Sequence, residues 1–215
     1  MLFDYWKALP FGEKVHSADL KIVERHRGVF DLTIPPGHVS GRLRTAPIVA
    51  CFLNPGIEQE DKKYLETTEG QRVLFDQICG DRDFPLQIPR WEKWFMSRVG
   101  GVRLTKEQLI RTVAIFNVCP YASKNANRLT QPILRDLPSA QIARQYLHEV
   151  LIPQAQRGER FLVICRGAWA WEVFPSLKCD TIRFAYPRGG HFGKEISNRI
   201  STWLESRPMV EREAS

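Results

Sequence analysis

Four short apolar runs, separated by gaps long enough for crossovers, constrain the fold of this chain more than any other sequence feature. They are Ile48–Leu53, Val113–Val118, Phe161–Cys165 and Ile182–Ala185. Each is mostly apolar on both faces, which is typical of buried strands in a parallel sheet. The gaps leave room for the crossovers that parallel strands require. The sequence therefore predicts an α/β fold, a three-layer α/β/α sandwich around a central four-stranded parallel sheet.

Helical patterns fill the gaps between these runs. The predicted helices are Ser17–Arg27, Thr68–Cys79, Arg90–Val99, Lys106–Arg111, Ser139–Gln156 with Ser139 as N-cap, Gly167–Val173 and Glu195–Glu205. We expect one domain over residues 1–215, with an N-terminal helical extension over 1–34 that docks outside the sheet. A polar, frayed tail is expected over 208–215.

Composition narrows the class of protein. The chain has 215 residues, 43% of them hydrophobic, which suits one soluble α/β domain. No apolar run reaches the roughly 18 residues of a membrane helix, and the N-terminus lacks the order of a secretion signal. The five cysteines include no CxxC pair and are interpreted as reduced thiols. We expect a cytoplasmic monomer with no metal, cofactor or membrane partner.

The chain carries a formal net charge of +7 and has a sequence pI of about 9.3. An excess of lysine and arginine is often no more than a solvated surface. It also fits a polyanionic partner, because such a surface neutralises nucleic-acid phosphates.

Polar residues and glycines follow each predicted strand, at the edge where open α/β sheets bind ligands. They are Asn54-Pro55-Gly56 after the first run, Asn117 near the end of the second with Pro120–Lys124 beyond it, Arg166-Gly167 after the third, and Tyr186–Lys194 after the fourth. Core packing does not require this collection, and glycine-rich backbone near cations suits phosphate. Taken singly, Asn-Pro-Gly is also a common turn, Asn117 a loop cap and His191 a structural hydrogen-bonding group.

These residues resemble the uracil-DNA glycosylase superfamily. Phe52–Gly56 is similar to the first family motif in its Asn-Pro-Gly form, as in mismatch-specific and thymine-DNA glycosylases, and residues 35–41 are similar to the segment before it. Val113–Asn117 resembles the strand that ends in a base-reading asparagine, and Phe161–Trp171 resembles the third strand and its helix. Ala185–Gly193 falls where the family carries His-Pro-Ser-Pro. The similarity covers about residues 35–205.

The chain departs from the family in its last motif, where Tyr186 stands at the usual position of the histidine and His191 follows five residues later. Either side chain is a candidate donor to the departing base. The first motif carries an amide rather than an aspartate, which in this family implies a slower enzyme or a better leaving group.

The resemblance implies a hydrolase of N-glycosyl bonds that flips a uracil-like or modified pyrimidine out of DNA and leaves an abasic site. Asn54 would position the attacking water, since an amide is a poor base. Asn117, with Pro55 and Gly56, would hold the base, and Tyr64 would stack on it, although a core or helix-surface role suits Tyr64 equally. The candidate DNA-binding residues are Arg188, which could also fill the gap left by the base, and Lys124, Arg128, Arg166 and Lys194.

Other functions fit parts of the sequence. A non-catalytic DNA- or nucleotide-binding member of the same fold would explain the altered last motif. An amino-methyltransferase would need an aromatic residue after Asn-Pro-Pro, whereas Gly56-Ile57 follow here. A small-molecule hydrolase remains open, although no Gly-x-Ser-x-Gly, His-Glu-x-x-His or phosphate-loop motif occurs. Neither the excised base, nor the strandedness of the DNA, nor a role in repair or in defence against phage with modified DNA is fixed by the sequence.

Overall fold

A computed structural model of the protein describes residues 2–56, 58–123, 125, 128–185 and 190–207. The strands are β1 Phe30–Asp31, β2 Val39–Ser40, β3 Ile48–Phe52, β4 Val113–Asn117, β5 Ala122–Ser123, β6 Phe161–Ile164 and β7 Ile182–Phe184. The main sheet has five strands in the order β2-β4-β3-β6-β7, and β1 pairs with β5 in a separate two-stranded ribbon.

The main sheet is mixed and mostly parallel. Strand β3 pairs in parallel with β4 and β6, and β7 pairs in parallel with β6, while β2 runs antiparallel beside β4. The prediction of a four-stranded, all-parallel sheet is therefore wrong in one respect, since β2 adds an antiparallel edge strand. This two-residue strand follows Pro35-Pro36-Gly37 and is too short to carry a hydrophobic period, so the sequence shows only a loop there.

Ten α-helices lie in the described ranges. They are α1 Leu2–Lys7, α2 Leu20–Arg25, α3 Gln59–Leu65, α4 Thr68–Gln77, α5 Trp91–Val99, α6 Lys106–Thr112, α7 Gln131–Asp136, α8 Pro138–Tyr146, α9 Ile152–Gln156 and α10 Gly193–Glu205. Helices α4, α5, α6 and α10 lie within two residues of their predicted bounds. Sequence reasoning did not find the short helices α1, α3 and α7.

The predicted helix Ser139–Gln156 is continuous but irregular. A π-helical segment, Leu147–Leu151, joins α8 to α9. Pro153, at the start of α9, has no N–H to donate and crowds the carbonyl four residues before it, which favours a locally wider helix. Ser139 is not the N-cap as predicted, since α8 begins at Pro138 and the backbone N–H of Ser139 donates to Asp19 Oδ1 at 3.0 Å.

The predicted helix Gly167–Val173 is wrong, because this segment forms turns. Gly167 has a φ of 71° and Glu172 a φ of 56°, both in the left-handed region that ends right-handed helices. The turns instead place Trp171 against β3, as described below.

Alternate residues of the strands feed two apolar clusters, one on each face of the sheet. Val49, Cys51, Ala114 and Phe116 face a cluster that includes side chains of α1, α7 and α8. Ile48, Ala50, Val113 and Ile115 face a second cluster that includes side chains of α5, α6 and α10. Burial on both faces explains why the strand sequences are continuously apolar.

The five cysteines are free thiols in this structure. Cys51, Cys119 and Cys165 are buried, while Cys79 and Cys179 are half-buried. Within the described ranges, no helix is long and apolar enough to cross a membrane.

Candidate functional site

The carboxyl ends of β3, β4, β6 and β7 share one edge of the sheet because these strands are parallel. Phe52, the last residue of β3, is paired with Asn117, the last residue of β4. Backbone hydrogen bonds continue past both ends, with Val118 N–H donating to the Phe52 carbonyl at 3.0 Å and Cys119 N–H to the Leu53 carbonyl at 2.9 Å. Asn54 and Asn117 therefore lie at the same end of adjacent strands.

Gly37 joins the two candidate amide segments. A Cβ atom at Gly37 would lie only 3.2 Å from Pro55 Cγ, so this backbone packs directly against the residue after Asn54. The carbonyl of Gly37 accepts a hydrogen bond from Asn117 Nδ2 at 2.8 Å, and its N–H donates to the Pro120 carbonyl at 2.7 Å. One glycine thus contacts the Asn-Pro-Gly loop on one side and the base-reading candidate on the other.

The side chain of Asn54 is half-buried, and its orientation is set locally. Its Nδ2 donates to the carbonyl of Pro55 at 3.1 Å. With the nitrogen bonded to the backbone, Oδ1 is the end of the amide that is left to accept a hydrogen bond from another group. This orientation suits an amide that holds a water molecule through its oxygen.

Asn117 is more enclosed, with 4% of its surface exposed. Its backbone N–H donates to the carbonyl of His38 at 2.9 Å, and its Nδ2 is bonded to Gly37. Among the described residues none donates to Asn117 Oδ1, so the amide keeps an acceptor and one N–H of its Nδ2. These are the two functions needed to read a pyrimidine edge.

His38, next to Gly37, is completely buried behind Asn117. Its ring lies 5.2 Å from the ring of Trp6 and 5.2 Å from that of Phe116, and neither ring nitrogen has a partner among the described residues. Burial lowers the pKa of His38 to about 3. The imidazole is therefore neutral at physiological pH and acts as a core side chain.

The remaining residues proposed to hold the base lie on either side of the Asn54 loop. Pro55 is buried against Gly37, and Gly56 is exposed. Tyr64, on α3, is half-buried against a small apolar cluster around Ile34 and Leu65, and its hydroxyl donates to Glu69 at 3.4 Å. These contacts fit the packing role for Tyr64 and do not place its ring against Asn54.

Asp61, also on α3, is a buried carboxyl group that sequence reasoning did not single out. Only 3% of its surface is exposed, its Oδ2 accepts the N–H of Glu58 at 3.3 Å, and its Oδ1 has no partner in the described ranges. Burial raises the pKa of this carboxyl. The group completes a capping box at the start of α3, and the sequence Glu58-x-x-Asp61 is the signal that could have found it.

The segment Gly190–Gly193 is pinned to the same edge of the sheet. Gly190 has a φ of 69°, and a Cβ atom there would lie 2.7 Å from Phe52 Cε1, so no other residue fits without displacement. The N–H of Phe192 donates to the Arg98 carbonyl at 2.9 Å, and its side chain is buried.

Both ring nitrogens of His191 are engaged although the side chain is exposed. Nδ1 lies 2.6 Å from the carbonyl of Ser97, which can only accept, so Nδ1 carries the proton. Nε2 then accepts a hydrogen bond from Arg98 Nη1. In this arrangement the ring has no N–H left to donate to a departing base.

Arg98, near the end of α5, is a half-buried cation at this edge that sequence reasoning missed. Its guanidinium carbon lies 5.6 Å from the centre of the Trp94 ring, and Nε is buried without a partner among the described residues. Burial, and then the positive charge of Arg166, lower the pKa of Arg98. In the sequence, Arg98 belongs to an ordinary amphipathic helix, so only the docking of α5 against Gly190–Gly193 reveals its position.

The other cations predicted to bind DNA lie on different segments. Arg166 lies two residues after the end of β6 and is exposed, Lys194 is exposed in the first turn of α10, and Arg128 is exposed in the segment after β5. The positive charge of Arg166 is one cause of the lowered pKa of Arg98. Tyr186, Arg188 and Lys124 fall outside the described residues.

The turns after β6 carry an exposed tryptophan and are attached to the end of β3. Trp171 Nε1 donates to the Phe52 carbonyl at 3.1 Å, and a Cβ atom at Gly167 would lie 3.1 Å from Leu53 Cδ1. These two contacts fasten the segment to the end of β3. Trp169, between them, keeps 43% of its surface exposed.

Among the described residues, no group of three or more His, Cys, Asp or Glu side chains is arranged to hold a metal ion. Comparison of the chain with protein-family models, with curated proteins and with solved structures found no match.

Proposed function

We propose that this chain is a DNA glycosylase with the three-layer α/β/α fold of the uracil-DNA glycosylase type. It would hydrolyse the N-glycosidic bond of a flipped uracil-like or modified pyrimidine, in repair or in defence against phage with modified DNA. The observation that carries the proposal is the position of Gly37, which packs on Pro55 and accepts from Asn117 at 2.8 Å. Two amides suited to different tasks are thereby held at one edge of the sheet.

The chemistry divides between the two amides. Breaking the N-glycosidic bond leaves a cationic sugar and an anionic base, and a water must reach the sugar carbon. Asn54 Oδ1 would hold that water, since its Nδ2 is bonded to the Pro55 carbonyl. Asn117, fixed by its bond to Gly37, would present its remaining donor and acceptor to the base. Both groups are set in place before substrate binds, which lowers the entropic cost of alignment.

The test is base release from duplexes that contain uracil, a thymine mismatch or a modified cytosine, followed by alkaline cleavage at abasic sites. Asn54→Ala is expected to reduce base release about 100-fold or more while DNA binding is kept. Asn198→Ala, which removes an exposed amide from α10, is the matched control and should behave as the wild type. Equal activity of the Asn54 and Asn198 variants would refute the assignment.

A second function, binding of DNA or a nucleotide without catalysis, is favoured by one observation. His191, one of the two candidates for stabilising the departing base, has both ring nitrogens engaged by Ser97 and Arg98. The same experiment separates the two functions, because a binding module would retain every duplex without releasing a base. The monomeric state and the cytoplasmic location stay predictions.

A further inference from the structure

Arg98 and Arg166 both lie at the carboxyl edge of the sheet. A Cβ atom at Gly190 would lie 3.1 Å from Cys165 Cβ, so the segment whose His191 bonds Arg98 packs against the residue just before Arg166. No carboxylate lies within 4.0 Å of either guanidinium in the described part of the chain, although thirteen other cations there have one within that distance. The charge of Arg166 acts on Arg98 strongly enough to lower the pKa of Arg98. Two neighbouring like charges destabilise the unliganded protein, and a bound anion removes that repulsion.

Arg98 is held in place by its surroundings. Nη1 donates to His191 Nε2, and His191 is fixed in turn by its Nδ1 bond to the Ser97 carbonyl at 2.6 Å. The ring of Trp94 lies beside the guanidinium at 5.6 Å. A neutral imidazole that accepts from an arginine orients it without neutralising it. An acidic residue in the same place would have cancelled the positive charge.

The elements around the two arginines also favour an anion. Helix α10 begins beside His191, and its N-cap residue Phe192 supplies no side-chain cap to the first N–H groups. The N-terminal end of a helix carries a partial positive charge and free N–H donors. Arg98 itself lies in the last turn of α5, whose carbonyl end favours a cation, so the helix dipole offsets part of the cost of holding it there.

We infer that Arg98 and Arg166 form a clamp for a phosphate group, with His191 as the residue that positions Arg98. Planar guanidinium groups bind phosphate through paired hydrogen bonds, and the oxygens of one phosphate can accept from two guanidinium groups at once. The clamp rests on the proposed function in so far as the phosphate belongs to DNA next to the flipped base. The phosphate of a free nucleotide has the same chemistry and is the other source.

The first experiment measures binding of a fluorescein-labelled duplex by anisotropy over a series of salt concentrations. Arg98→Ala and Arg166→Ala are each expected to weaken binding about tenfold and to reduce the slope of log K against log salt by about 1. Arg103→Ala is the matched control, because it removes the same charge from an exposed arginine elsewhere, one that pairs with Glu205. Equal slopes for the Arg98 and Arg103 variants would overturn the clamp.

The second experiment tests the positioning role of His191. His191→Gln keeps an oxygen that accepts from Arg98 and an amide that donates to Ser97, whereas His191→Leu keeps neither. We expect the glutamine variant to bind DNA as the wild type does and the leucine variant to reproduce Arg98→Ala, at unchanged melting temperature. Identical binding by both variants would show that His191 does not position Arg98.

A third measurement separates the source of the phosphate and keeps the clamp distinct from the glycosylase activity. Melting temperatures are recorded with sodium pyrophosphate and with sodium chloride at equal ionic strength. Suppose that pyrophosphate raises the melting temperature of the wild type but not of Arg98→Ala, and that the wild type neither binds DNA nor releases a base. This result would support a clamp for nucleotides and reject the glycosylase. If the wild type releases bases, but Arg98→Ala matches Arg103→Ala in DNA binding and in melting temperature, the clamp is rejected and the glycosylase is kept.

Discussion

Replacing His38 by phenylalanine tests how the core behind Asn117 tolerates a buried imidazole. His38 is 0% exposed, lies between the rings of Trp6 and Phe116, and has no partner for either nitrogen among the described residues. A buried polar group without a hydrogen bond costs about 1–3 kcal/mol. Phenylalanine keeps an aromatic ring and removes both nitrogens, so His38→Phe is expected to be as stable as the wild type or more stable at pH 7.

The pH dependence follows from the sign of the shift. Burial lowers the pKa of His38 to about 3, from an ordinary value of 6.5. Between these values the unfolded chain binds a proton that the native protein does not, so stability falls as the pH falls from 6.5 towards 3. The loss is about 1.4 kcal/mol per pH unit, or about 2.7 kcal/mol on going from pH 6.5 to pH 4.5.

The assay is urea unfolding followed by tryptophan fluorescence at pH 7.0 and pH 4.5. The wild type should lose about 2.7 kcal/mol more stability over this interval than His38→Phe does. His26→Gln, a change at a half-buried histidine after α2, controls for the general loss of a histidine. The reasoning is refuted if His38→Phe and the wild type lose the same stability between the two pH values. His38→Leu repeats the comparison should the larger phenylalanine ring not fit.

Two further predictions concern other groups near the candidate site. Trp169→Ala should weaken binding of single-stranded DNA about tenfold, because it removes an aromatic surface on which a base can stack. Phe11, whose side chain is equally exposed at 43%, provides the control, and Phe11→Ala should leave binding unchanged. Filter binding measures both variants, and equal losses of affinity would exclude stacking on Trp169. Because burial raises the pKa of Asp61 above 3.8, the stability that this carboxyl contributes is present below pH 3.8 and is lost as the pH rises through the raised value. In thermal unfolding, the stability of Asp61→Asn relative to the wild type should therefore increase between pH 4 and pH 7. The control Glu60→Gln, at an exposed position on the same helix, should show no such increase. A stability difference between Asp61→Asn and the wild type that stays constant over this range would contradict the prediction.

The apolar runs predicted the four parallel strands because burial on both faces leaves a signal in consecutive residues. The ends of these strands were predicted within one residue, which is enough to place Asn54 and Asn117 at one edge. Strand β2 and the turns at 167–173 were not predicted, because both depend on backbone contacts made by distant residues. The pairing of Val39 with Phe116 and the bond from Trp171 to Phe52 are examples.

The candidate site was predictable only where its residues follow the strands. Asn54 and Arg166 lie in loops that the strand pattern locates, so their neighbourhood could be inferred. Arg98 and His38 could not be found in this way, since one belongs to a helix docked from another part of the chain and the other precedes a two-residue strand. The engagement of His191 is likewise invisible in the sequence, because its partners lie 93 and 94 residues away.

In the proposed glycosylase, the position of Gly37 would couple recognition of the base to hydrolysis. A nucleobase that displaced Asn117 would also load its bond to the Gly37 carbonyl, and the backbone of Gly37 packs so near Pro55 that an added Cβ atom would lie 3.2 Å from Pro55 Cγ. A base of the wrong shape would then displace the water-holding amide as well as bind poorly. Variants selected to accept a broader range of bases should therefore turn over more slowly, because base recognition and water positioning both depend on the Gly37 peptide unit.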